Sequence, residues 1–445
     1  MHSLLPKTQT AVPPRTFIAE LAPLMGQRVK IKGWVHRLRE HAKTTFVVVK
    51  DLSGTLQCVV ATRENRENFR LRLEDCVEVI GNLNPDARVA NGMELFVESI
   101  RILARAKEAL PFTSGSSIEK VTQEVLIENR PLVLRHAEKG EIFRTQARIV
   151  ELFREYLTKN RFTEIFTSKI VASGTEGGTN LFKLRYFEKT AYLAQSPQFY
   201  KEQCVGGLER VFETGHVYRA EPHATSRHLT EYYSLDVELG FIEGPEEIME
   251  LERELLNYMF EVLNREKAEV LQRFGVGPLP SMEKAPIWEF GECLERLKLA
   301  YGSEAIEGLS EDLNGEAEKR LCELAMREFA CPAVYVVGFP LHARPFYTAA
   351  RGTAGAAQSF DLLFRGLEIT TGGQRLHERA QLEKALRGRG LEPSAFESHL
   401  KMFELGMPPH GGFAIGAERL TAQILGLANI REATLYPRDR NRLTP

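Results

Sequence analysis

The stretch 212–241, FETGHVYRAEPHATSRHLTEYYSLDVELGF, limits the possible folds more than any other part of the chain. Within it, apolar and polar residues alternate on either side of a short polar segment, the period of β-strands that turn one face to a core. RVFETGHVYRAE is expected to carry Arg219 and Glu221 on one face of a strand, and YYSLDVELGFI to carry Asp236 and Glu238. PHATSRHLT supplies the connection and a basic loop. Antiparallel sheets often leave such a charged face to solvent, so the hairpin alone specifies a β-framework and no ligand.

Two further segments change that balance. SFDLLFRGLEITTGGQRLHE places Asp361, Glu368 and Arg375 on strand-like, Gly-rich sequence, and GGFAIGAERLTAQILGL ends a strand with Arg419 at the start of an amphipathic helix. Arginine forks suit phosphate oxygens, and carboxylates suit hard cations such as Mg²⁺. Burying so many charges of both signs is unfavourable unless a ligand completes the set. The ligand implied is a nucleoside triphosphate with Mg²⁺. The chain has no GxxxxGK[ST], no kinase signature set and no GxGxxG opening a βαβ unit, so a P-loop, kinase or dinucleotide reading is excluded.

The chain has 445 residues, 43% hydrophobic and 27% charged, enough for two or three domains. It contains no apolar run of the roughly 20 residues that span a bilayer and no leader-like N-terminus. A cytosolic protein without a membrane segment is expected. The six cysteines are scattered and are expected to be reduced. The net charge of −2 is unevenly spread: residues 1–107 hold 17 Lys and Arg against 11 Asp and Glu, the remainder 41 against 49. A basic N-terminal domain on a larger acidic one suits a polyanionic partner.

Within residues 1–107, RVKIKGWVHRL, TTFVVVKDLSGTLQCVVA, CVEVIGNLN and GMELFVESIRILAR read as four or five strands separated by turn residues. A small closed barrel of the OB type follows, a fold that binds single-stranded nucleic acid on a strand face through aromatics. Trp34, Phe46 and the Arg37, Arg39, Lys43 cluster are suitable equipment. PFTSGSS marks a linker over 108–130, and the helical spacing of EIFRTQARIVELFREYLTKNRF opens an α+β domain over 131–445.

Triphosphate binding by arginines on an antiparallel sheet resembles the class II aminoacyl-tRNA synthetases. FETGHVYRAE with TSRHLTEYYSLDVEL resembles the second signature motif of that family, and GGFAIGAERLTAQILG the third. GTEGGTNLF, QSPQFYK, FDLLFRGLEITTGGQR and YPRDRNRLTP are similar to segments of the aspartyl and asparaginyl subgroup, in the same order over nearly the whole chain. Within it, the chain resembles the short archaeal and eukaryotic aspartyl type. The resemblance implies an OB-fold barrel followed by an antiparallel sheet flanked by helices, in a homodimer. One departure is Ser168, where the first motif usually has proline, at the dimer interface.

The resemblance also implies roles. Arg219 stands where an arginine meets the α-phosphate, Glu221 where an acid reads the adenine amino group, and Tyr232 where an aromatic stacks on adenine. Arg419 matches the arginine on the opposite adenine face and the γ-phosphate, and Arg227 and His228 match loop residues on the pyrophosphate. Asp361, Glu368 and Thr371 stand where Mg²⁺ ligands stand. Lys201 and Arg375 match the cations for a side-chain carboxylate, Gln198 and Asp236 the residues around the α-amino group, and Ser173 and Glu176 a loop that closes over the amino acid. In the barrel, Arg39, Phe46 and Gln57 match anticodon contacts, while His36 and Pro85 lie where the subgroup varies between enzymes restricted to tRNA(Asp) and those that also charge tRNA(Asn).

The function implied is ATP- and Mg²⁺-dependent joining of L-aspartate to tRNA(Asp), with tRNA(Asn) a further substrate. Lys201 and Asp439 favour aspartate, since asparaginyl enzymes usually lack that lysine and carry threonine in place of that aspartate. The alternatives are an asparaginyl-tRNA synthetase and a non-aminoacylating relative on the same fold. ATP–pyrophosphate exchange with each amino acid separates the former. The intact carboxylate set argues against the latter.

Overall fold

The computed structural model describes residues 12–41, 44–60, 70–89, 91–174, 180–222, 225–352 and 355–444. The chain divides into two compact units, 1–140 and 141–445.

The first unit is a closed five-stranded barrel in the order β1 (Arg28–Glu40), β2 (Thr45–Lys50), β3 (Thr55–Val60), β5 (Met93–Ala104), β4 (Cys76–Pro85). Period-two alternation sends Val29, Ile31 and Val35 of β1, Val47 and Val49 of β2, and Leu56 and Cys58 of β3 into one apolar interior. Each such side chain contributes about 1.5–3 kcal/mol on burial. Closure requires sharp corners. The β1–β2 ladder shifts between Val35 and Arg37, and at Gly33 a Cβ would lie 2.2 Å from the Lys50 carbonyl oxygen, so only glycine fits. The segment expected to link the domains packs within this unit: Phe112, Ser114 and Ile118 are buried, and the Ser114 amide donates to Glu74 Oε1 at 2.6 Å.

The second unit is built on an eight-stranded sheet. Its elements in chain order are helix α1 (Lys139–Lys159), β6 (Thr163–Glu164), α2 (Gln198–Leu208), β7 (Arg210–Tyr218), β8 (Glu231–Gly240), α3 (Pro245–Glu266), β9 (Ile287–Glu289), α4 (Gly315–Phe329), β10 (Ala333–Val337), β11 (Ser359–Phe364), β12 (Leu367–Gln374), β13 (His410–Gly416) and α5 (Ala417–Leu425). The strand order is β9-β10-β11-β12-β13-β8-β7-β6, antiparallel from β10 to β7 with a parallel strand at each edge.

Two helices explain why one sheet face is greasy. Ile149, Leu152, Phe153 and Leu157 of α1 and Leu255, Leu256, Met259 and Leu263 of α3 fall on apolar stripes and share a core with Leu235, Val237, Phe360, Leu362, Phe413 and Ile415 of the sheet. Alternation then commits Ser234, Asp236 and Glu238 of β8 to the opposite face, where all three are buried. At Gly412 of β13 a Cβ would lie 2.0 Å from the Val237 carbonyl oxygen and 2.5 Å from Glu238 Oε2. That glycine lets β8 and β13 close up beneath the charged face. The long α1 helix appears where the sequence spacing predicts it, and the six cysteines are free thiols.

Candidate active site

β7 ends at Tyr218, so Arg219 and Glu221 lie just beyond it rather than on the strand face expected of them. There the Arg219 amide donates to the Thr230 carbonyl and the Glu221 amide to the Arg219 carbonyl, at 2.9 and 2.8 Å. This tight turn brings both side chains to a cavity of about 310 Å³ that is also lined by Arg227, His228, Tyr232, Glu368, Thr371 and Arg419. All the residues assigned above to a nucleotide therefore share one cavity. The Arg219 guanidinium carbon sits 5.9 Å from the Tyr232 ring centroid. Arg227 pairs with Glu318 of α4, a helix capped by the Asn314 side chain, and His228 Nδ1 lies 2.7 Å from the Thr225 hydroxyl.

Glu368 and Thr371 are three residues apart, and strict alternation would put them on opposite faces of the sheet. A bulge prevents this: the β11–β12 ladder shifts between Leu362 and Leu363, with Leu362 opposite Thr370 and Leu363 opposite Glu368. The extra residue, Ile369, turns Glu368 back to the site, where its Oε1 accepts from the Thr371 hydroxyl at 2.9 Å and lies 3.6 Å from Arg419 Nη1. Burial pushes the Glu368 carboxyl up, but Arg419, the Thr371 hydroxyl, Arg344 and Arg219 outweigh it, so the group titrates below its ordinary value. Asp361, opposite Thr371, is clasped by Arg344 at 3.1 and 2.7 Å. Its carboxyl is raised, chiefly by burial, against the pull of Arg344.

Among the described residues no three His, Cys, Asp or Glu side chains gather closely enough to hold a metal by themselves. The donors present, Glu368, Thr371 and Asp361, are hard oxygens on neighbouring strands. They suit a dication that takes its remaining ligands from phosphates and water.

A second cluster lies on β8, β13 and α2. Lys201 is 1% exposed, with Nζ 3.1 Å from Asp236 Oδ1 and 3.2 Å from Glu238 Oε2. Arg375 donates its Nε to Glu238 Oε1 and its Nη2 to the Gly412 carbonyl, both at 3.0 Å. Asp236 Oδ2 accepts from the Ser234 hydroxyl at 2.6 Å. Gln198 opens α2 and donates Nε2 to Glu202 Oε1 at 2.7 Å. Ser173 is half-buried, and Glu176 lies outside the described residues.

Three residues of the site received no role from the sequence. Glu238 bridges both cations, Arg344 holds Asp361, and buried Glu418 accepts from the Tyr233 amide, its carboxyl pushed up to about 7, foremost by burial. Glu238 stood out only by its period with Asp236; nothing in the surrounding sequence marks the other two.

On the barrel, Arg39 pairs with Phe46, Phe46 with Val59, and Val59 with Phe96 across neighbouring strands. Phe46 is half-buried and Phe96 is 42% exposed, both outside the apolar interior. The next row runs Arg37, Val48, Gln57, Glu94, Asn84, with Gln57 Nε2 3.2 Å from Glu94 Oε2. Trp34 lies under the Arg135 guanidinium, 4.5 Å from its ring centroid, so it is not an open platform. His36 sits at the β1 bulge, Nδ1 3.0 Å from the Ser114 hydroxyl, its imidazole lowered by burial and then by Lys50 and Arg37. Exposed Pro85 ends β4, next to Asn84 of that row. Lys43 lies outside the described residues.

Residues 122–440 match the family described as tRNA synthetases class II (D, K and N), and residues 29–103 match the OB-fold nucleic acid binding domain. The chain is 41% identical over 432 residues to the aspartate–tRNA(Asp/Asn) ligase of Thermus thermophilus, covering 97% of this chain and all of that one. It is 37% identical to the aspartate–tRNA(Asp) ligase of Pyrococcus abyssi, over 95% of this chain and 97% of the relative. Among solved structures, the asparaginyl-tRNA synthetase of Pyrococcus horikoshii complexed with asparaginyl-adenylate superposes with a TM-score of 0.89 at 30% identity, over 97% of this chain and all of that one. With its family signature, its antiparallel sheet and its N-terminal OB barrel, the chain belongs to the class II tRNA synthetases.

Proposed function

We propose that this synthetase is an aspartate–tRNA ligase that uses ATP and Mg²⁺, acts on tRNA(Asp) and also accepts tRNA(Asn). The observation that carries the amino-acid choice is the buried Lys201 and Arg375 pair, both tied to Glu238. Two fixed cations suit a side-chain carboxylate. Both cations already have Asp236 and Glu238 as counter-ions, so the preference rests on the stronger, charge-assisted hydrogen bonds that a carboxylate forms with them and a neutral amide does not. The sequence relatives at 36–42% identity are aspartate ligases, some of them of the Asp/Asn kind.

In the chemistry we assign, Gln198 and Asp236 hold the α-ammonium, and Lys201 and Arg375 hold the side-chain carboxylate. Tyr232 and Arg419 sandwich the adenine while Glu221 accepts from its amino group. The aspartate α-carboxylate attacks the α-phosphorus in line, and Arg219 neutralises the charge that develops on the phosphoryl oxygens. Pyrophosphate leaves against Arg227 and His228, and the mixed anhydride of aspartate and AMP passes its aspartyl group to the terminal ribose hydroxyl of tRNA, with AMP as the leaving group. Positioning and preorganised charge supply the rate, without a side-chain nucleophile. Mg²⁺, when bound through Glu368, Asp361 and Thr371, supplies further neutralisation of the phosphates.

A homodimer belongs to the same proposal. Phe143, Ala147 and Val150 of α1 border a cavity of about 650 Å³ with Leu435 and Tyr436, and nearby in sequence Phe166 is 82% exposed. Apolar surface of this kind suits a second copy. Exposed Ser168 lies in the same segment. No helix among the described residues is long and apolar enough to cross a membrane, and we assign the protein to the cytoplasm. ATP–pyrophosphate exchange with aspartate and with asparagine, followed by charging of purified tRNA(Asp) and tRNA(Asn), tests the reading. Exchange driven by asparagine alone would overturn it.

A further inference from the structure

Beneath the second cluster lies a group of buried ionisable side chains that the chemistry above does not use. Glu202 of α2 is fully buried, with Oε2 3.5 Å from His399 Nε2 and 3.6 Å from His410 Nε2. Its other oxygen accepts from Gln198 Nε2 at 2.7 Å. His399 is stacked on Phe199 at 4.1 Å and borders Phe403, so neither imidazole can turn away to solvent.

Hydrogen bonds at the far nitrogens fix the protons. The Gln203 amide nitrogen faces His399 Nδ1 at 3.3 Å; that ring nitrogen accepts, and a neutral His399 presents N–H to Glu202. His410 differs. Its Nδ1 lies 2.8 Å from the Pro408 carbonyl, which only accepts, so Nδ1 carries a hydrogen. A neutral His410 would then aim a bare Nε2 lone pair at the Glu202 carboxylate. The arrangement is favourable only when Nε2 is protonated too, making His410 an imidazolium.

An ionised carboxylate can only accept. It therefore holds the Gln198 amide with nitrogen toward Glu202 and leaves the carbonyl end for the substrate, the end that an α-ammonium needs. We propose that Glu202 and His410 form a buried ion pair in which the Glu202 carboxylate fixes the orientation of the Gln198 amide and the proton at His410 Nε2 offsets the carboxylate's charge behind the pocket, so that aspartate affinity depends on that proton. This rests on the role assigned to Gln198 above. Glu202 and His410 are positioning residues.

The other charges facing the pair are Glu238 of β8, whose field reaches His410, Arg375, which feels Glu202, and Lys201 next to Glu202 in the chain. The direction of titration agrees with the geometry. Burial pulls the His410 imidazole down, but Glu202, Glu238 and the Pro408 carbonyl outweigh it and raise it above its usual value. As pH climbs through that raised value, the cluster loses its positive charge and a net negative charge remains behind the pocket. An aspartate zwitterion, itself net negative, then binds less well.

The test is the pH dependence of KM for aspartate in ATP–pyrophosphate exchange. In the wild type KM rises as pH climbs above the ordinary imidazole value of about 6.5, by about tenfold per pH unit at its steepest. Glu202→Gln raises KM for aspartate at neutral pH by about tenfold, with kcat and the KM for ATP near wild type, and lacks that limb. A flat wild-type profile, or the same limb in Glu202→Gln, overturns the ion pair. Should the variant fail to fold, the wild-type profile still decides. Gln198→Leu separates the two levels: if it leaves KM for aspartate unchanged, the role of Gln198 falls, whereas a raised KM with an unchanged limb in Glu202→Gln sinks only the pair. Absence of aspartate-dependent exchange in the wild type would instead overturn the functional reading.

Discussion

Arg344 holds both carboxylate oxygens of Asp361, at 3.1 and 2.7 Å, with its guanidinium carbon 3.7 Å from the Phe339 ring centroid. The pair is nearly sealed, with side chains 9% and 6% exposed. Removing one partner of such a pair strands a buried charge, which costs about 3–5 kcal/mol. Arg344→Leu should therefore lower the unfolding free energy of the second unit by about that much in urea denaturation. Asp361→Asn in the same chain should restore part of the loss, because no carboxylate is then stranded. Equal stability of Arg344→Leu and wild type would show that the pair contributes nothing.

Lys201 lies between Asp236 and Glu238, and we assign it to the substrate carboxylate. Lys201→Met should reduce kcat/KM for aspartate by about 2–5 kcal/mol, the usual loss when one partner of a buried charge set is removed. Discrimination against asparagine should fall with it. Exchange assays with both amino acids check this, and an unchanged preference ratio would remove Lys201 from the recognition set.

Arg219 turns into the nucleotide cavity just beyond β7. If it neutralises charge at the α-phosphoryl group, Arg219→Ala should slow exchange by about 10²–10³, the usual effect of deleting one preorganised transition-state contact. Unfolding curves should stay near wild type, since half-buried Arg219 lies outside the apolar cores. Near wild-type exchange would sink the assignment.

How much of this the sequence discloses depends on the range of the interaction. The barrel strands, the β7–β8 hairpin and α1 are legible because each obeys a local period, as in the alternation of Asp236 and Glu238 against Val237. The joint position of Glu368 and Thr371 is not, because it depends on a one-residue bulge that the two-residue period hides. Long-range partners were equally invisible. Arg344 meets Asp361 across 17 residues and Arg375 meets Glu238 across 137, and no spacing rule reaches that far. Trp34 shows the opposite failure: an aromatic on a barrel strand looks like a base platform until Arg135 is seen to cover it.

Glu252 of α3 is fully buried against the Tyr335 and Thr370 hydroxyls, behind the sheet from Asp361. Burial, first of all, pushes its carboxyl up to about 8; the two hydroxyls pull it down and the Asp361 charge raises it. A folded-state value above the unfolded one means that the native chain binds the extra proton. The stability from this group is fully present below the ordinary carboxylate range and is lost as pH rises from there through about 8, above which the loss levels off. Over that window the loss is on the order of 1 kcal/mol per pH unit. Glu252→Gln cannot ionise, so its unfolding free energy should gain on the wild type as pH increases. Parallel pH profiles for the two proteins would refute a protonated Glu252.

The barrel separates the two half-reactions. Phe46 pairs with Arg39 on one side and Val59 on the other, half-buried outside the apolar interior, and Phe96 continues the same row. A core phenylalanine cut to alanine would lose about 3–5 kcal/mol of stability. An outward ring that stacks on an anticodon base would instead lose about 1–3 kcal/mol of tRNA binding. Phe46→Ala should therefore weaken tRNA charging by the latter amount, leave aspartate-dependent exchange untouched and scarcely move the unfolding of the barrel, which Trp34 fluorescence reports. Phe96→Ala should do the same if the base platform extends along the row, and nothing if it ends at Val59. Should Phe46→Ala unfold the barrel while charging per folded molecule stays constant, Phe46 supports the fold and does not read tRNA.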